Sequence, residues 1–599
     1  MSEPSEKTAA KGEGGKPVPG APTNVPGGTG TKPPPPAPPP AGKPPAPPKN
    51  PGFVTLTIDE REVVVKPGTN MIEAAKQVGS EIPYYCYHPR LTIAANCRMC
   101  LVEVSNAPKL VPACQTPVAE GLAVKTKTEV VKDSHRAVLE FLLLNHPVDC
   151  AICDQAGECK LQDYYMQHDF QPSRLDDRKV LRHKRKALGP LVVLDQERCI
   201  LCTRCVRFMN EVAKEPQLGV FGRGSHERID VFPGSSLDSN YSGNTVDICP
   251  VGALLSRDFR FRARAWFLST SPSVCSGCSR GCSTWIDFFG QETYRYRPRE
   301  NEQINKSWLC DQGRLSYKYL NRDRVLAPAL GRGSDAQEIG AAEAMKWAWG
   351  KLEPIARTPK LAVLASPLAS NEDLMFSLSF AKEALGASQV YLGGRPPGEA
   401  DHYLMTSDKN PNRRGLEWIA RGLGLATKPF EEVLSAIEAG SVRALYAVGG
   451  EIPSHPPAIE SLLQRLELLI VQAINPGALS AFADLVLPVS PHSEDEGTFT
   501  NLDGITQRFR AAYPSRGASQ PHWKWAADLA RAAGHAWVPN SAGEVFGETA
   551  KRIPELASFD WDGAAPLRQL WPGGGPLPAA ADGRPAGYRE FGRPRVRGI

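Results

Sequence analysis

Residues 199–205 read Cys-Ile-Leu-Cys-Thr-Arg-Cys, and a fourth cysteine, Cys249, follows much later with Pro250 directly after it. Three cysteines at intervals of three residues, with a distant Cys-Pro, have the spacing that holds a [4Fe–4S] cluster. A zinc ribbon does not space three cysteines in this way. The long interval between Cys205 and Cys249 indicates an inserted loop. This stretch therefore predicts a region that folds around an iron–sulfur cluster.

The rest of the composition agrees with a reduced, metal-binding protein. All 15 cysteines of the 599 residues lie between Cys86 and Cys310. The sequence shows no secretory signal, so we expect reduced thiols that bind metal rather than disulfides. No apolar run approaches the roughly 18 residues of a membrane-spanning helix. A net charge of +5 is too small to indicate nucleic-acid binding.

A second group of cysteines follows a predicted β-hairpin over Val54–Ile58 and Glu62–Val65 and a short predicted helix over Met71–Val78. That order is typical of a β-grasp ferredoxin. A loop with three cysteines and a later fourth is typical of a [2Fe–2S] cluster. Zinc is the alternative, although zinc ligands usually come as two separate pairs. The group consists of Cys86, Cys97, Cys100 and Cys114.

Two further groups fit [4Fe–4S] clusters, and one of them needs a histidine. The first is His146, Cys150, Cys153 and Cys159, and the second is Cys275, Cys278, Cys282 and Cys310. A lone histidine is more often structural, but three cysteines leave one iron of a cubane without a protein ligand. The 15 cysteines and His146 together supply four ligands to each of four clusters. This count favours His146 as a ligand.

Several arginines lie close to these groups in sequence, and they either offset the negative charge of clusters or form an ordinary basic surface. They are Arg98, Arg198, Arg204, Arg207, Arg260, Arg262 and Arg264. The basic run over residues 184–186 is either a solvated face or a contact for an acidic partner. No dinucleotide-binding glycine motif follows a strand, and there is no P-loop. We therefore expect nicotinamide and flavin on another chain, and a relay function here.

The two ends and the last third of the chain differ from the cysteine-rich region in composition and in the pattern of apolar residues. Seventeen of the first 52 residues are proline, which predicts a disordered arm, either inert or a ligand for a proline-binding module. From about Pro328, apolar strands over Leu361–Leu364, Ala444–Val448 and Leu468–Val471 alternate with helical stretches and predict an α/β layer with a parallel sheet. After about Gly534 we expect an irregular tail.

Four segments resemble the large iron–sulfur subunit of NADH–quinone oxidoreductase, or respiratory complex I. They are residues 96–104, 145–159, 199–207 and 247–254. The resemblance covers about residues 53–324, although Ala151 and Ala156 stand where proline and glycine are expected. It implies that the 16 residues named above hold one [2Fe–2S] and three [4Fe–4S] clusters. The group of Cys275 resembles an extra cubane that some bacterial members keep off the main electron path.

Residues 325 to about 530 are similar to the molybdopterin oxidoreductase fold, through residues 483–488 and 496–501. No cysteine follows Cys310, so we expect no molybdenum or tungsten cofactor. The expected fold is multidomain, α+β and then α/β. Its parts are a disordered arm (1–52), a β-grasp [2Fe–2S] domain (53–130), a helical His/Cys3 [4Fe–4S] domain (131–171), a ferredoxin-like [4Fe–4S] domain (172–267), a fourth cluster domain (268–324), a reduced molybdopterin-oxidoreductase-like domain (325–535) and an irregular tail (536–599).

The resemblance implies an electron relay from NADH and FMN on a partner subunit toward quinone, within a proton-translocating complex. It implies no catalytic residue on this chain. The expected partners are the NADH/FMN-binding subunit and the downstream iron–sulfur subunits of the peripheral arm. The expected location is the cytoplasmic face of the bacterial inner membrane, with membrane contact through partners only. The alternatives are a subunit of an NAD-linked formate dehydrogenase, a relay or catalytic subunit of a hydrogenase, and a zinc-based scaffold.

Overall fold

The computed structural model describes residues 52–169, 172–535, 538–557, 559, 561 and 569–570. The predicted arm over residues 1–52 lies outside this part of the chain, except for Gly52, and so do residues 571–599 of the predicted tail. Among the helices of the described part, none combines the length and the apolar character needed to cross a membrane.

A five-stranded sheet carries the first cysteine group and confirms the predicted hairpin. Its strands are Val54–Ile58 (β1), Arg61–Val65 (β2), Leu101–Val104 (β3), Val111–Pro112 (β4) and Ala123–Lys125 (β5), in the order β2-β1-β5-β3-β4. The predicted helix is Met71–Gln77 (α1). The side chain of Asn70 caps it by accepting a hydrogen bond of 3.0 Å from the Glu73 N–H. Its apolar face packs on the sheet and closes a separate small core.

The next region has little regular structure, because much of its backbone turns around cysteines. Its first helices are Glu129–Asn145 (α2) and Lys160–Tyr164 (α3), followed by a π-helical turn over Tyr165–Asp169. The elements that follow are Lys186–Ala187 (β6), Val192–Leu194 (β7), Arg204–Glu211 (α4), Gly219–Phe221 (β8), Arg228–Asp230 (β9), Asn244–Asp247 (α5) and Leu254–Ser256 (β10). The β8–β9 hairpin lies inside the interval between Cys205 and Cys249, where the sequence predicts an inserted loop.

An antiparallel three-stranded sheet carries the fourth group. Its strands are Ser269–Val274 (β11), Ser283–Phe289 (β12) and Glu292–Pro298 (β13), followed by Asp311–Leu315 (α6) and Lys318–Asn321 (α7). The cysteines therefore stand at the start of β12 and at the start of α6, on loops that a rigid sheet supports.

The last region confirms the predicted parallel sheet. Eight strands lie in the order β15-β14-β21-β20-β19-β16-β17-β18, where β14 is antiparallel to both of its neighbours and the other seven strands run in one direction. They are Ala329–Leu330 (β14), Gln337–Glu338 (β15), Leu361–Ala365 (β16), Gln389–Leu392 (β17), Ala426–Lys428 (β18), Ala444–Val448 (β19), Leu468–Ala473 (β20) and Leu485–Pro488 (β21). Helices cover both faces and form two separate apolar cores, as parallel sheets require. They include Ala341–Leu352 (α8), Asn371–Glu383 (α9), Arg413–Gly422 (α10), Phe430–Glu438 (α11) and Ile459–Gln464 (α12).

The expectation of an irregular tail from residue 536 is wrong for one stretch. After the hairpin strands Gly497–Thr500 (β22) and Thr506–Phe509 (β23) and the helix His522–Ala532 (α13), residues Ala542–Arg552 form a further helix (α14). The Ser541 hydroxyl caps α14 by accepting from the Glu544 N–H, and Val545 and Phe546 are buried. A strand over Gln569–Leu570 (β24) pairs with β23. Burial of these apolar side chains outweighs the glycine- and proline-rich composition nearby.

Candidate metal centres

The ferredoxin-like group is drawn together around a single small cavity. Cys199, Cys202, Cys205 and Cys249 all line it. The loop reaches this shape through left-handed backbone at Leu201 (φ 52°) and Thr203 (φ 58°). One of these residues lies in each of the two intervals between neighbouring cysteines. Such positions are costly for residues with a Cβ and are kept where a site needs them. The structure therefore brings together all four residues that the spacing predicts.

Burial makes these thiols resistant to ionisation. It raises the pKa of Cys199 to about 12 and that of Cys202 to about 11, and it raises the pKa of Cys205 well above its usual value. A buried thiol gives up its proton when a metal cation takes its place. All 15 cysteines are free thiols. The buried thiols of the ferredoxin-like set are therefore poor nucleophiles, and their environment suits metal binding.

The first group also converges. The Cys86 N–H donates to the Cys97 Sγ at 3.5 Å, and the Cys114 thiol shares hydrogen bonds with the thiols of Cys100 and Cys86. These shared bonds, followed by burial, raise the pKa of Cys114. Left-handed backbone at Ala95 (φ 50°) and Arg98 (φ 57°) flanks Cys97 and bends its loop. The set is formed by two segments, the loop over residues 86–100 and the turn after β4.

In the third set, the three cysteines follow one another on a turn and at the start of a helix. Cys150 and Cys153 belong to one short turn, and Cys159 is the N-cap of α3. Glycine at position 252 leaves room for this turn, because a Cβ there would lie only 2.2 Å from the Cys153 Sγ. Gly252 is not among the residues predicted from the sequence, although its place three residues after Cys249 in a Cys-Pro motif is a usable sign.

His146 is half-buried at the C-terminal end of α2, with extended backbone. Burial, followed by the charge of Arg198, lowers the pKa of His146 to about 4. The imidazole is therefore neutral near pH 7, which is the form that binds a metal. Arg198 also acts on Cys153. Arg198 thus acts electrostatically on both His146 and Cys153.

The fourth set is the most deeply buried of the four. Cys275, Cys278, Cys282 and Cys310 are all buried and influence one another electrostatically. The Gly313 N–H donates to the Cys310 Sγ at 3.3 Å. A Cβ at Gly313 would lie 3.0 Å from the Cys275 Sγ and 3.2 Å from the Cys310 Sγ, so only glycine leaves that space open.

Backbone contacts tie the first three sets to one another. The Arg207 Nη2 donates both to the Cys86 carbonyl at 2.5 Å and to the Cys202 carbonyl at 3.2 Å. The Pro250 carbonyl accepts from the Lys160 N–H at 3.1 Å, directly after Cys159. One arginine thus joins the first set to the ferredoxin-like set, and the Cys-Pro turn joins that set to the histidine-containing one.

Several of the predicted arginines serve cysteine loops rather than an ordinary surface. Arg264 donates to the Cys153 carbonyl at 2.9 Å, and Arg204 donates to the Ile248 carbonyl at 3.1 Å, directly before Cys249. Arg198 pairs with Asp149 at 2.9 Å. Three others differ: Arg98 is exposed, Arg260 stacks on Phe261, and Arg262 pairs with Glu292.

The basic run over residues 184–186 meets acidic side chains of the same chain. Lys184 pairs with Asp149 and Glu197, each at 2.5 Å, and Lys186 pairs with Asp230 at 2.6 Å. The acidic contacts that these two lysines make in the structure are therefore internal ones.

Within the described residues, no three His, Cys, Asp or Glu side chains gather closely around one point as ligands of a single metal ion do. Iron–sulfur clusters spread their four protein ligands over two or four irons, so their thiols stand further apart. The four sets are consistent with such groups in their donor type, and most of their thiols are buried or half-buried, with Cys150 exposed. Glycines keep space beside the sulfur atoms in the histidine-containing set and in the fourth set.

Comparison with known protein families gives four matches along the chain. Residues 53–129 match a model described as "2Fe-2S iron-sulfur cluster binding domain", and residues 135–174 match "NADH-ubiquinone oxidoreductase-G iron-sulfur binding region". Residues 189–255 match "NADH-quinone oxidoreductase subunit 3, ferredoxin-like domain", and residues 344–532 match "Molybdopterin oxidoreductase".

Individual relatives agree with these matches. The chain is 41% identical over 336 residues to the NADH-quinone oxidoreductase G subunit of Rickettsia felis, a match of 56% of this chain and 50% of that protein. It is 38% identical over 588 residues to the mitochondrial NADH-ubiquinone oxidoreductase 78 kDa subunit of Candida albicans, a match of 79% of this chain and 81% of that protein. The chain thus spans about half the length of the Rickettsia relative and most of the Candida one.

Among solved structures, a chain of an NAD+-reducing [NiFe]-hydrogenase in the H2-reduced state is 32% identical, over 35% of this chain and 90% of that chain. The TM-score is 0.32, which is too low for a conclusion about the fold.

Proposed function

Since this chain belongs to the family of the large iron–sulfur subunit of NADH–quinone oxidoreductase, we propose that it relays single electrons between redox centres on other chains. Electrons enter from NADH through FMN on a partner subunit and leave toward quinone. The chain takes part in an oxidoreductase without a complete active site of its own. The complex as a whole couples this transfer to proton translocation.

The observation that carries the proposal is that hydrogen bonds join the loops of different thiol sets. Arg207 bonds to the loops of two sets, and the Cys-Pro turn at Cys249 touches a third. Electron relay needs redox centres that lie close together and are shielded from water. Joined loops with buried thiols supply both conditions, whereas a zinc-based scaffold requires neither.

The proposed cofactors are one [2Fe–2S] and three [4Fe–4S] clusters, which supply reversible one-electron redox chemistry when bound. The residues of the chain hold them, exclude water and balance their negative charge. The ligand sets are Cys86, Cys97, Cys100 and Cys114 for the [2Fe–2S] cluster, and His146, Cys150, Cys153 and Cys159, then Cys199, Cys202, Cys205 and Cys249, then Cys275, Cys278, Cys282 and Cys310 for the three [4Fe–4S] clusters.

We further propose that the chain holds no molybdenum or tungsten cofactor, no FMN and no NAD. The region of residues 344–532 matches the molybdopterin oxidoreductase family, but none of its residues is a cysteine. A thiolate is the soft ligand that such a metal commonly takes from the protein. In this proposal the α/β region packs against the fourth set as a platform through strand β23, whose Gln507 donates to the Gly281 carbonyl at 2.6 Å.

The proposed partners are the NADH/FMN-binding subunit and the downstream iron–sulfur subunits of the peripheral arm. The proposed location is the cytoplasmic face of the bacterial inner membrane, reached through partners. Co-purification from solubilised membranes tests this set. Recovery with a nickel-containing or molybdenum-containing partner in place of these subunits would assign the relay to a hydrogenase or formate dehydrogenase complex.

Elemental analysis of the purified chain tests the cofactor assignment. One [2Fe–2S] and three [4Fe–4S] clusters require about 14 irons and as many labile sulfides per chain. We expect that content, with molybdenum and tungsten absent. Stoichiometric molybdenum or tungsten would contradict the relay assignment, zinc with no visible absorption would favour the scaffold, and about ten irons would mean that one cubane is not built.

A further inference from the structure

The side chain of Tyr85 is fully buried, yet its hydroxyl has no hydrogen-bond partner among the described residues. A buried hydroxyl that makes no hydrogen bond destabilises the fold, because it has lost its contacts with water. Buried tyrosine hydroxyls therefore nearly always find a partner. The orphaned hydroxyl of Tyr85 points to a partner that is not a protein atom.

Tyr85 lies between two of the thiol sets. It directly precedes Cys86, whose N–H donates to the Cys97 Sγ at 3.5 Å. On its other side, its ring meets the ring of Tyr164 edge-on, with 5.4 Å between ring centroids. Tyr164 belongs to the short helix α3, which begins at Cys159. The phenol is thus held close to the sulfur ligands of both the first set and the histidine-containing set.

Tyr164 is already engaged, since its hydroxyl accepts a hydrogen bond of 3.3 Å from the Tyr84 N–H. The Tyr85 hydroxyl, by contrast, has no hydrogen-bond partner among the described residues. Tyr85 packs in one apolar core with Leu161 and Tyr164 of α3, whereas Cys100 and Cys114 of the first set belong to a separate core. The packing of the phenol therefore favours the histidine-containing set over the first set.

We propose that the Tyr85 hydroxyl donates a hydrogen bond to a sulfur atom of the [4Fe–4S] cluster that Cys159 helps to hold. The inference rests on the proposed function and deepens it, because it names a residue outside the ligand set that adjusts the potential of one relay centre. Hydrogen bonds to cluster sulfurs favour the reduced, more negative state and raise the reduction potential. Tyr85 thus makes this cluster a better electron acceptor than its ligands alone would.

The test is the variant Tyr85→Phe in the assembled complex, with the midpoint potential of every cluster measured by redox-titrated EPR. Loss of the donor should lower the ratio of reduced to oxidised cluster about tenfold at a fixed ambient potential, for the histidine-containing cluster alone. For a one-electron couple that ratio corresponds to about 59 mV. The control is Tyr446→Phe, which removes a buried hydroxyl bonded to Gln472 at 2.6 Å in the α/β sheet.

Unchanged potentials in Tyr85→Phe, or a shift confined to the [2Fe–2S] cluster, would overturn the proposal. If the variant fails to assemble, unsubstituted protein that carries tyrosine with oxygen-17 in its hydroxyl gives the second measurement. The EPR signal of the histidine-containing cluster should then show an oxygen-17 coupling, and its absence would overturn the inference. A chain that binds no such cluster at all would instead contradict the proposed function.

Discussion

The ligand role of His146 can be tested at the level of one side chain. Replacing the neutral imidazole by a thiolate in His146→Cys should keep the cubane and lower its reduction potential, because a charged ligand favours the oxidised state. His146→Ala should lose or weaken the cluster. Redox-titrated EPR measures both effects, with the exposed His226→Ala as control. An alanine variant with four clusters at unchanged potentials would show that His146 is not a ligand.

Asp287 shows how much one buried carboxylate contributes to stability. It is 1% exposed and accepts hydrogen bonds from Arg295 at 2.7 Å and from Arg297 at 2.6 Å. Burial alone would raise the pKa of Asp287, but the two arginines outweigh it and lower that pKa. Asp287→Asn removes the carboxylate that both arginines share, although Arg295 keeps Glu158 at 2.8 Å, and should destabilise the fold by about 3 kcal/mol.

The sign of the pH dependence follows from the lowered pKa of Asp287. Its stabilisation should be present above the unfolded pKa of about 3.9 and should disappear as the pH falls toward the lower folded value. Thermal unfolding from pH 7 down to about pH 2, in wild type and Asp287→Asn, measures this. The difference between the two curves should narrow progressively below about pH 4. Asp133→Asn, at the exposed pair with Arg136, should change stability by less than about 1 kcal/mol.

At the level of elements, the Cys-Pro turn belongs to one thiol set and shapes another. Gly252 follows Cys249 in sequence, but a Cβ there would press on the Cys153 Sγ of the neighbouring set. Gly252→Ala should therefore remove the histidine-containing cluster, with about four irons lost per chain, and spare the ferredoxin-like one. Gly350→Ala is the control, since nothing lies within 4 Å of that position. Loss of only the ferredoxin-like cluster would contradict the prediction.

We expect the helix α14 to contribute to the stability of the α/β region. Its Phe546 is 1% exposed and packs against Phe559, with 5.0 Å between ring centroids. Phe546→Ala should lower the stability of this region by about 3–5 kcal/mol and leave the iron content unchanged. A shifted thermal midpoint with unchanged iron would support this. Lys551→Ala, on the exposed face of the same helix, should leave the midpoint unchanged.

For the whole molecule, removal of iron should divide the chain into two zones of stability. The thiol sets lose the cations that make their burial favourable, while the eight-stranded sheet keeps its two apolar cores. Hydrogen exchange of the apo chain should thus rise across residues 52–324 and stay low in the central strands β16, β19 and β20. A uniform rise over both regions would show that they unfold together.

The local spacing of residues predicted the cysteine sets and many of the strands. It could not predict contacts between residues that are far apart in the sequence. The cysteine sets, the first hairpin and the parallel strands follow from spacing and from alternation of apolar residues. Neither pattern shows that Arg207 reaches Cys86, 121 positions away, or that Gly252 lies against Cys153. The helix α14 escaped prediction because glycine and proline around it masked a short apolar repeat, although Ser541 and Glu544 form a recognisable cap.

The two edge strands of the eight-stranded sheet are short and largely polar. This limits how the free chain can associate with copies of itself. The edge strands β15 and β18 have two and three residues, and both residues of β15 are exposed and polar. They offer few unpaired backbone groups to a second molecule, so growth by strand addition is blocked. Self-association of the free chain would begin instead at exposed aromatic side chains such as Trp266, Phe267 and Phe289. Solubility before assembly is therefore governed by that aromatic surface rather than by the sheet.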